Sequence, residues 1–469
     1  MTKLYHIPYT LALLVIGCQM ACQNNEGASY NPSTAQQYTQ QYVQTTMAQI
    51  AEKDTIGTFV NGKNAANVQT ALKNLYNKKA LLWQDAKSRD AKPAIEQYLK
   101  QLRTAAANGL NPADYGLANI EKQYAALYPP NSPEPYNRLE QLPAFDHLLS
   151  ASALAYAYDM LRGRISGGGL WDVPPRNRDL INDLPKAIAD GKITELFNQI
   201  EPNYSQYKLL RKQLATETNA DLKKRIALNM DRYRLMPSSD SLGSRYVWVN
   251  IPEFMLQFVE GKDTTATMNI VVGEPKNATP VVVNKKMNSV IFSPVWNVPT
   301  NIAYEEIEYI LKNPAVLIVA DVDVWLDGKK VDPRDVDWEN TARSRIKMRQ
   351  RPKSTNSMGL VKFAFDNNYG VYLHDSPSKE VFSHTNRAQS HGCVRVGNPA
   401  GLAAQVLKGS KWSDGNIRSA MNSGKQQPTG IPKPVRVNFV YFTTYVDKGG
   451  NLQTRRDVYG HDSRQMKQL

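Results

Sequence analysis

Cysteine and histidine are both scarce in this chain. Its 469 residues include three cysteines and six histidines, and two of the cysteines, Cys18 and Cys22, lie near the amino terminus. A disulfide framework is therefore excluded, because Cys393 has at best one partner and that partner lies in the amino-terminal segment. Three histidines fall between residues 374 and 391, but they do not follow a metal-ligand spacing. We expect neither a metal site nor any other cofactor.

Long apolar runs and blocks of like charge are also lacking. After the amino-terminal leader, no apolar run approaches the roughly 20 residues of a membrane-spanning helix. The formal net charge of +14 would suit anionic surroundings such as wall polymers or lipid head groups, but the basic residues are spread along the chain. This spread favours simple solubility, and no nucleic-acid partner is expected. The length predicts two or three domains.

The first 22 residues have the pattern of an export leader. Lys3 gives a weakly positive start, and residues 7–17 form an apolar segment of signal-peptide length. That segment runs into VIGC, which resembles a bacterial lipobox with Cys18 as the lipidated residue. The alternative is ordinary secretion with cleavage near Ala21. In either case we expect an exported, periplasmic protein, and the lipobox predicts a lipid anchor in a membrane.

The hydrophobic pattern of the following 200 residues is helical. Residues 23–35 are rich in Asn, Ser, Gly and Pro and predict a flexible tether. From 36 to 236, apolar residues recur at helical spacing, which predicts an all-helical scaffold domain. The strongest helices are expected at 68–76, from Pro93 to Gly109, at 143–162 and at 220–234.

After Pro237 the period changes to alternation, which predicts a mainly β domain over 237–469 and an α+β fold class. Residues 301–351 interrupt the strands and begin with a helix-like segment. An insertion of this length in a sheet domain is expected to form a subdomain or a lid over a site. Strands are expected at 247–251, 254–258, 290–296 and 435–441, with a hairpin turn at 447–450.

Residues 374–395 concentrate the reactive side chains. Cys393 is the candidate nucleophile, because a thiol attacks as its thiolate when an imidazole lies within hydrogen-bond reach. His374 and His391 are both candidate bases, and Gly392 allows close approach of the backbone to a substrate. Residues 369–374 predict a strand that ends at His374, and 390–396 predict a tight turn leading into a second strand. Neighbouring strands, parallel or antiparallel, could place the thiol beside an imidazole.

These residues resemble a known signature. The sequence resembles the signature of the L,D-transpeptidases with a YkuD-type catalytic domain, in particular the large periplasmic type. The resemblance is carried by His374, a variable loop and then Ser390-His391-Gly392-Cys393-Val394-Arg395. Further segments are similar to those enzymes, among them NSMGLVKFAF, YLHDSP, SPVWNVP, AAANGLNPADY and YAYDMLRGRIS. Two features depart from the family. The pattern of a peptidoglycan-binding module is lacking between 191 and 234, and Asp366 stands where proline is usual.

The resemblance implies a peptidoglycan L,D-transpeptidase. Cys393 would attack the bond between diaminopimelate and D-Ala in a tetrapeptide stem, release D-Ala and pass the acyl group to an amine, forming 3-3 cross-links. His374 would be the base, oriented by a backbone carbonyl. The N–H groups of Gly392 and Cys393, with His391, would form the oxyanion hole.

Other residues have implied roles in substrate binding. Arg395 could hold a stem carboxylate, Ser390, Tyr372 and Trp296 would line the cleft, and 301–351 would close over the substrate and exclude water. The implied partners are peptidoglycan stem peptides and a D,D-carboxypeptidase that prepares them. A covalent carbapenem adduct on the cysteine is expected.

Two alternatives remain from the sequence. The first is a thiol hydrolase that acts on the same stems as an L,D-carboxypeptidase or cleaves cross-links. The second is a non-catalytic peptidoglycan-binding lipoprotein. The acceptor amine also stays open between a diaminopimelate stem, a free D-amino acid and a lipoprotein lysine.

Overall fold

The two halves of the chain fold as their hydrophobic patterns predict. The structure is a computed structural model that describes residues 45–46, 62–78, 80–85, 90–129, 141–299, 302 and 307–469. A helical region is followed by a mainly β region, so the α+β prediction is confirmed. The export leader, Cys18 and the tether at 23–35 lie outside the described residues. Among the described residues, no helix has both the length and the apolar composition needed to cross a membrane.

Helices make up the described part of the first half. Pro93 occupies the first turn of the second helix, and the Asn219 side chain accepts from two N–H groups at the start of the last. The helices up to the β region are α1 (Ala65–Leu75), α2 (Pro93–Arg103), α3 (Leu117–Leu127), α4 (Leu142–Arg162), α5 (Leu180–Ala189), α6 (Ile193–Ile200), α7 (Ser205–Thr216) and α8 (Ala220–Leu235). The four strong helices predicted from sequence are all present. The second ends at Arg103, however, and a separate 3₁₀ turn (Ala105–Asn108) precedes Gly109.

Two large apolar cores lie on either side of residue 202. The first is formed by α1 to α6 and the connections between them, from Val68 to Ile200. The second runs from Tyr204 onward and combines α7 and α8 with the sheet. The last two helices of the first half are therefore packed with the β region, while the boundary at 236 stays a prediction.

The β region is built on one sheet that closes on itself. Its strands are β1 (Trp171–Asp172), β2 (Arg245–Asn250), β3 (Met255–Glu260), β4 (Asp263–Gly273), β5 (Val281–Phe292), β10 (Val361–Phe365), β11 (Leu373–His374), β12 (Ala388–Ser390), β13 (Val394–Val396), β14 (Gln427–Gly430) and β15 (Arg436–Val440). The order β5-β10-β11-β13-β4-β3-β2-β15 returns to β5 through the β15–β5 pairing. The sheet thus forms a barrel, and β1 attaches the helical half to it through β5.

The interruption between β5 and β10 has its own small sheet and core. Its order is β6-β9-β7-β8, from strands β6 (Trp296–Asn297), β7 (Val322–Leu326), β8 (Lys329–Val331) and β9 (Ile346–Gln350). Short helices α9 (Ile307–Lys312) and α10 (Val316–Val319) cover it, and Val324, Trp338 and Met348 are buried in its core. The segment is a subdomain and starts at β6, slightly earlier than the predicted residue 301.

The remaining elements follow the barrel. Helices α11 (Pro399–Val406) and α12 (Asp414–Met421), the hairpin of β16 (Thr444–Val446) and β17 (Leu452–Thr454), and α13 (His461–Gln465) complete the fold. The predicted strand at 290–296 is two elements, because β5 ends at Phe292 and Trp296 belongs to the subdomain sheet. Of the predicted strand at 369–374, only Leu373–His374 is paired.

Candidate active site

The predicted site residues converge on one cavity of about 680 Å³ between the barrel and the subdomain. The barrel side contributes the motif residues, and the subdomain contributes an apolar wall that includes Ile310, Leu317 and Val322. Gly392 is buried behind the wall. The lining includes these predicted residues: Trp296, Tyr372, His374, Ser390, His391, Cys393 and Arg395.

Strand register explains why the thiol and the imidazole face the same space. β11 and β13 are parallel, and His374 lies opposite Arg395 while Leu373 lies opposite Val394. Side chains two residues apart on a strand point to the same face. Tyr372 and Cys393 each precede this pair by two residues, and the Val394 N–H donates to the Tyr372 carbonyl at 3.1 Å. The four side chains therefore share one face of two adjacent strands.

The turn before Cys393 is closed by the Ser390 hydroxyl. Ser390 Oγ donates to the Cys393 carbonyl at 2.6 Å and accepts from the Gly392 N–H at 3.2 Å. Gly392 has a φ of +111°, a conformation that side-chain-bearing residues rarely adopt. The Gly392 N–H, predicted as an oxyanion donor, thus already has a partner in the turn.

The same turn is fastened to the loop after β4. Thr279 Oγ1 donates to the Gly392 carbonyl at 2.7 Å and accepts from the Gly273 N–H at 2.8 Å. Tyr459 Oη donates to the Gly273 carbonyl at 2.7 Å and accepts from the Thr279 N–H at 3.2 Å. A Cβ on Gly273 would come within 3.0 Å of the Gly392 Cα. Sequence reasoning missed Thr279 and Tyr459, because each is distant in the chain and carries no motif.

His374 is buried and uncharged. Burial, followed by the charge of Arg395, lowers the pKa of His374 to about 3, while hydrogen bonds with the backbone of Met358 and Asp375 act in the opposite direction. Within the described residues its Nδ1 has no hydrogen-bond partner. A neutral imidazole is the protonation state in which a base can accept a proton. His391, the alternative base, is exposed.

A polar turn holds the Met358 backbone beside the imidazole. Asn356 Oδ1 accepts from the Met358 N–H at 2.7 Å, and Asn356 Nδ2 donates to the Arg351 carbonyl at 2.8 Å. Asn356 is fully buried, so its amide is committed to this turn. The expectation that backbone orients His374 thus has a specific candidate in Met358.

Positive charge lies on both sides of the thiol. Burial raises the pKa of Cys393, while hydrogen bonds with Tyr372 and the charges of Lys362 and Arg395 act to lower it. Lys362 lies opposite His374 in the β10–β11 register, and its Nζ is 3.9 Å from the centroid of the Tyr372 ring. Lys362 was not predicted, although a lone lysine alternating with apolar residues in VKFAF could have signalled a cavity-facing position.

Arg395 is half-buried without an ionic partner among the described residues. Burial lowers its pKa, and its Nε has no hydrogen-bond partner. A guanidinium with unused donors in a cavity wall suits a carboxylate ligand. The described residues hold no cluster of three or more His, Cys, Asp or Glu side chains placed to bind a metal.

The residues around the catalytic cavity belong to a region that is similar to known proteins. Residues 244–413, which include the whole turn and both flanking strands, match the family model of the L,D-transpeptidase catalytic domain, called YkuD. The chain carries a YkuD-type L,D-transpeptidase catalytic domain. Residues 70–214 match a scaffold domain, so the helical half also has relatives.

A relative aligns with most of the chain, across both the helical and the β halves. The chain is 25% identical over 421 residues to a Haemophilus influenzae protein named "Putative L,D-transpeptidase". That alignment covers 86% of this chain and 80% of the relative. The L,D-transpeptidase resemblance based on residues 374 and 390–395 is confirmed at the level of the family.

Proposed function

We propose that this protein is a peptidoglycan L,D-transpeptidase that uses Cys393 to form 3-3 cross-links. One observation carries the proposal: a thiol, a neutral imidazole and the Arg395 guanidinium line one cavity in an L,D-transpeptidase domain, and the charge of nearby Lys362 also acts on the thiol. Because the subdomain covers that cavity, an acyl group bound to the thiol would be shielded from bulk water.

In the first step, His374 takes the Cys393 proton as sulfur attacks the carbonyl between diaminopimelate and D-Ala. The new S–C bond gives a tetrahedral oxyanion, which the Cys393 N–H would stabilise as a backbone donor of the turn. The C–N bond then breaks, and His374 returns the proton to the leaving D-Ala amine. Lys362 and Arg395 offset the negative charge that passes from sulfur to oxygen.

In the second step, an acceptor amine attacks the thioester. His374 removes one amine proton, the N–C bond forms, the S–C bond breaks, and the proton returns to Cys393. A diaminopimelate side-chain amine as the acceptor gives the 3-3 link, whereas water as the acceptor gives a shortened stem. The apolar subdomain wall near Ile310 and Leu317 supports the amine outcome, since it limits water at the thioester.

Substrate binding is assigned by side-chain chemistry. Arg395 would pair with a stem carboxylate, and Tyr372 and Trp296 would pack against the peptide. Ser390 lines the cavity, but its hydroxyl already bonds within the turn, so we assign it to shaping the turn as well as to contact with substrate.

The proposal also includes the place of action. The leader and the lipobox-like sequence at Cys18 support export and a lipid anchor in a membrane, where peptidoglycan stems are available. Tetrapeptide donors require prior removal of a terminal D-Ala from pentapeptides, so a D,D-carboxypeptidase is the expected functional partner.

Product analysis tests the reaction. Purified tetrapeptide muropeptides are incubated with the protein, and the products are separated and weighed by mass spectrometry. We expect D-Ala release with 3-3 dimers. Tripeptide monomers alone, without dimers or exchange of D-amino acids, would identify the hydrolase instead.

Adduct analysis tests the nucleophile separately from the products. A carbapenem should add once to the native protein, and the Cys393→Ala variant should gain no mass. If the native protein forms neither adduct nor product, the non-catalytic wall-binding alternative is favoured. An adduct that persists in Cys393→Ala would reject Cys393.

A further inference from the structure

A second cavity lies where the helical half meets the barrel. We call it the junction cavity; its volume is about 310 Å³, and its polar lining includes Lys63, Asn67, Arg162, Trp171, Arg176 and Arg234. These residues come from the start of α1, the end of α4, the segment around β1 and the end of α8. Neither the catalytic mechanism nor the L,D-transpeptidase signature uses any of them.

The junction cavity has more positive charge than its neighbours neutralise. Of its four cationic side chains, only Arg234 forms an ion pair within the described residues, with Asp231 at 2.8 Å. Lys63 Nζ donates to the Arg162 and Ile165 carbonyls, and Arg162 donates to amide and carbonyl oxygens. Hydrogen bonds to neutral oxygens satisfy donors but do not cancel charge.

Arg176 shows the imbalance most clearly. Its Nη2 donates to the Ile200 carbonyl at 2.6 Å, and its Nη1 is buried without a hydrogen-bond partner among the residues that the structure describes. Burial lowers the pKa of Arg176; Tyr204 and Tyr207 act to raise it, and the smaller effects of the Arg234 and Arg178 charges lower it. A buried guanidinium beside another cation is costly unless an anion joins it.

Two more buried donors at this cavity lack partners. Arg234 is fully buried, and its Nε has no acceptor within the described part of the chain, although its two terminal nitrogens are bonded. The Trp171 indole Nε1 is also buried, and it too has no partner in the described ranges. Unpartnered buried donors are rare in proteins, and three around one cavity indicate a missing acceptor with several oxygens.

We propose that the junction cavity is an oxyanion-binding site that takes a carboxylate or phosphate group through Arg176, Arg234 and Trp171. Asp231 pairs with Arg234, and the charges of Asp231 and Asp159 both act on Lys63. Asp231 is occupied by Arg234 and by the Arg164 and Ile165 N–H groups, and Asp159 by Asn64 and Tyr115. Neither carboxylate lines the cavity, so an external anion has no competing negative charge on its wall.

A stem peptide and free phosphate are the two sources of such a group. The loop that carries the site also contacts the catalytic cavity, because Tyr369, which lines that cavity, donates to the Gly169 carbonyl at 2.7 Å. A wall strand that occupies the catalytic cavity would therefore pass near the site. The stem-peptide source rests on the proposed function, whereas oxyanion binding itself does not.

Trp171 provides a direct readout. The protein, labelled with 5-fluorotryptophan, is titrated at constant ionic strength with acetate, phosphate or chloride, and the Trp171 signal is assigned with Trp171→Phe. We expect a saturable shift of the Trp171 signal with acetate or phosphate but not with chloride. In Arg176→Gln the apparent dissociation constant should rise at least about tenfold. Arg334→Gln, an exposed arginine of the subdomain, is the matched control and should bind as the native protein does.

The two sources are separated in the Cys393→Ala protein, which cannot transfer acyl groups. Tighter binding of a tetrapeptide than of acetate at Trp171 assigns the site to stems, and tighter binding of phosphate assigns it to phosphate. A shift that follows ionic strength alone, or one unchanged in Arg176→Gln, overturns the proposal. If Arg176→Gln does not fold, two other measurements decide whether the cavity binds an oxyanion. They are the titration of Arg162→Gln and the comparison of acetate with chloride in the native protein. Failure of the muropeptide reaction would leave these titrations unaffected.

Discussion

The catalytic cavity and the junction cavity are both cationic, but only one holds a nucleophile. In the catalytic cavity, Arg395 lines the wall together with Cys393, and the charges of Arg395 and nearby Lys362 both act to lower the pKa of that thiol. In the junction cavity, Arg234 is paired with Asp231, whereas Arg176 has no ionic partner among the described residues. The same electrostatic environment therefore stabilises a transient internal charge in one place and requires an external anion in the other.

The two cavities also differ in how their walls are held. The turn at 390–393 is fixed by hydroxyl and backbone hydrogen bonds of Thr279 and Tyr459, with little freedom to adjust. The junction cavity is bounded by ends of helices and by the segment around β1. A site of chemistry needs fixed positions to within a fraction of an ångström, whereas a charge-binding site tolerates movement.

The largest effect should come from His374→Gln, which keeps a polar side chain but removes the base. We expect about a 10³-fold loss of acyl transfer, because the thiol proton then has no acceptor. The same substitution should leave acetate binding at Trp171 unchanged. Loss of both activities would show that the cavities are not independent.

The acidic limb of the pH profile gives a related test of His374. Because burial and Arg395 hold the pKa of His374 at about 3, its protonation should not reduce acyl transfer between pH 5 and 8. To measure this, the protein is acylated by a carbapenem in a single turnover at each pH, and the rate of adduct formation is determined by mass spectrometry. An acidic midpoint near pH 6.5 that disappears in His374→Gln would show that the imidazole is solvated and not buried.

A smaller effect is expected from Lys362→Met, which removes the ammonium but keeps the length of the side chain. The pKa of Cys393 should rise further, because a charge that favours the thiolate is lost. Alkylation of Cys393 by iodoacetamide at pH 7 should slow about tenfold, with its midpoint moved to higher pH. Lys362→Arg retains the charge and should be alkylated nearly as fast as the native protein. An unchanged pH profile in Lys362→Met would show that Arg395 alone stabilises the Cys393 thiolate.

The next effect concerns the Thr279 hydroxyl, whose hydrogen bonds connect the turn at 390–393 to Gly273. Thr279→Val leaves the Gly392 carbonyl and the Gly273 N–H without their partner, which should cost about 1–3 kcal/mol of unfolding free energy. Since Thr279 positions the turn and does not contact substrate, kcat should fall while KM stays nearly constant. Thr279→Ser keeps the hydroxyl and should restore kcat. If kcat stays low in Thr279→Ser, Thr279 acts through packing of its methyl group and not through its hydrogen bonds.

The smallest effect should come from Arg345→Gln on the outer hairpin of the subdomain. Arg345 pairs with Asp327, but both side chains are about half exposed, and exposed pairs contribute little. Melting temperature, acyl transfer and anion binding should all match the native protein. A change in acyl transfer would show that the outer face of the subdomain communicates with the site.

Local pattern predicted much of this molecule. The helices at 65–75, 93–103, 142–162 and 220–235 follow from apolar spacing and terminal residues, and Cys393 and His374 stand out by their scarcity and by the family signature. Closure of the barrel through β15 and β5 was beyond prediction, since it joins strands over 140 residues apart. Periodicity identifies strands but not their partners.

The missed site residues have a common cause. Thr279 and Tyr459 act through one hydroxyl each, and nothing in their neighbourhoods marks a threonine or a tyrosine as unusual. Arg176 and Trp171 become notable only when burial and missing partners are known. Chemistry that depends on tertiary contacts, and not on residue type, leaves no local pattern.

The separate core of the subdomain has a consequence for evolutionary change. Val324, Trp338 and Met348 belong to a core separate from that of the barrel, and the barrel closes through its own strand pairings without a strand of the subdomain. Mutations in α9, α10 or the loops between them can accumulate without loss of the folded barrel that carries Cys393. The cavity wall that the subdomain supplies can therefore diverge among descendants while Cys393 and His374 are inherited intact.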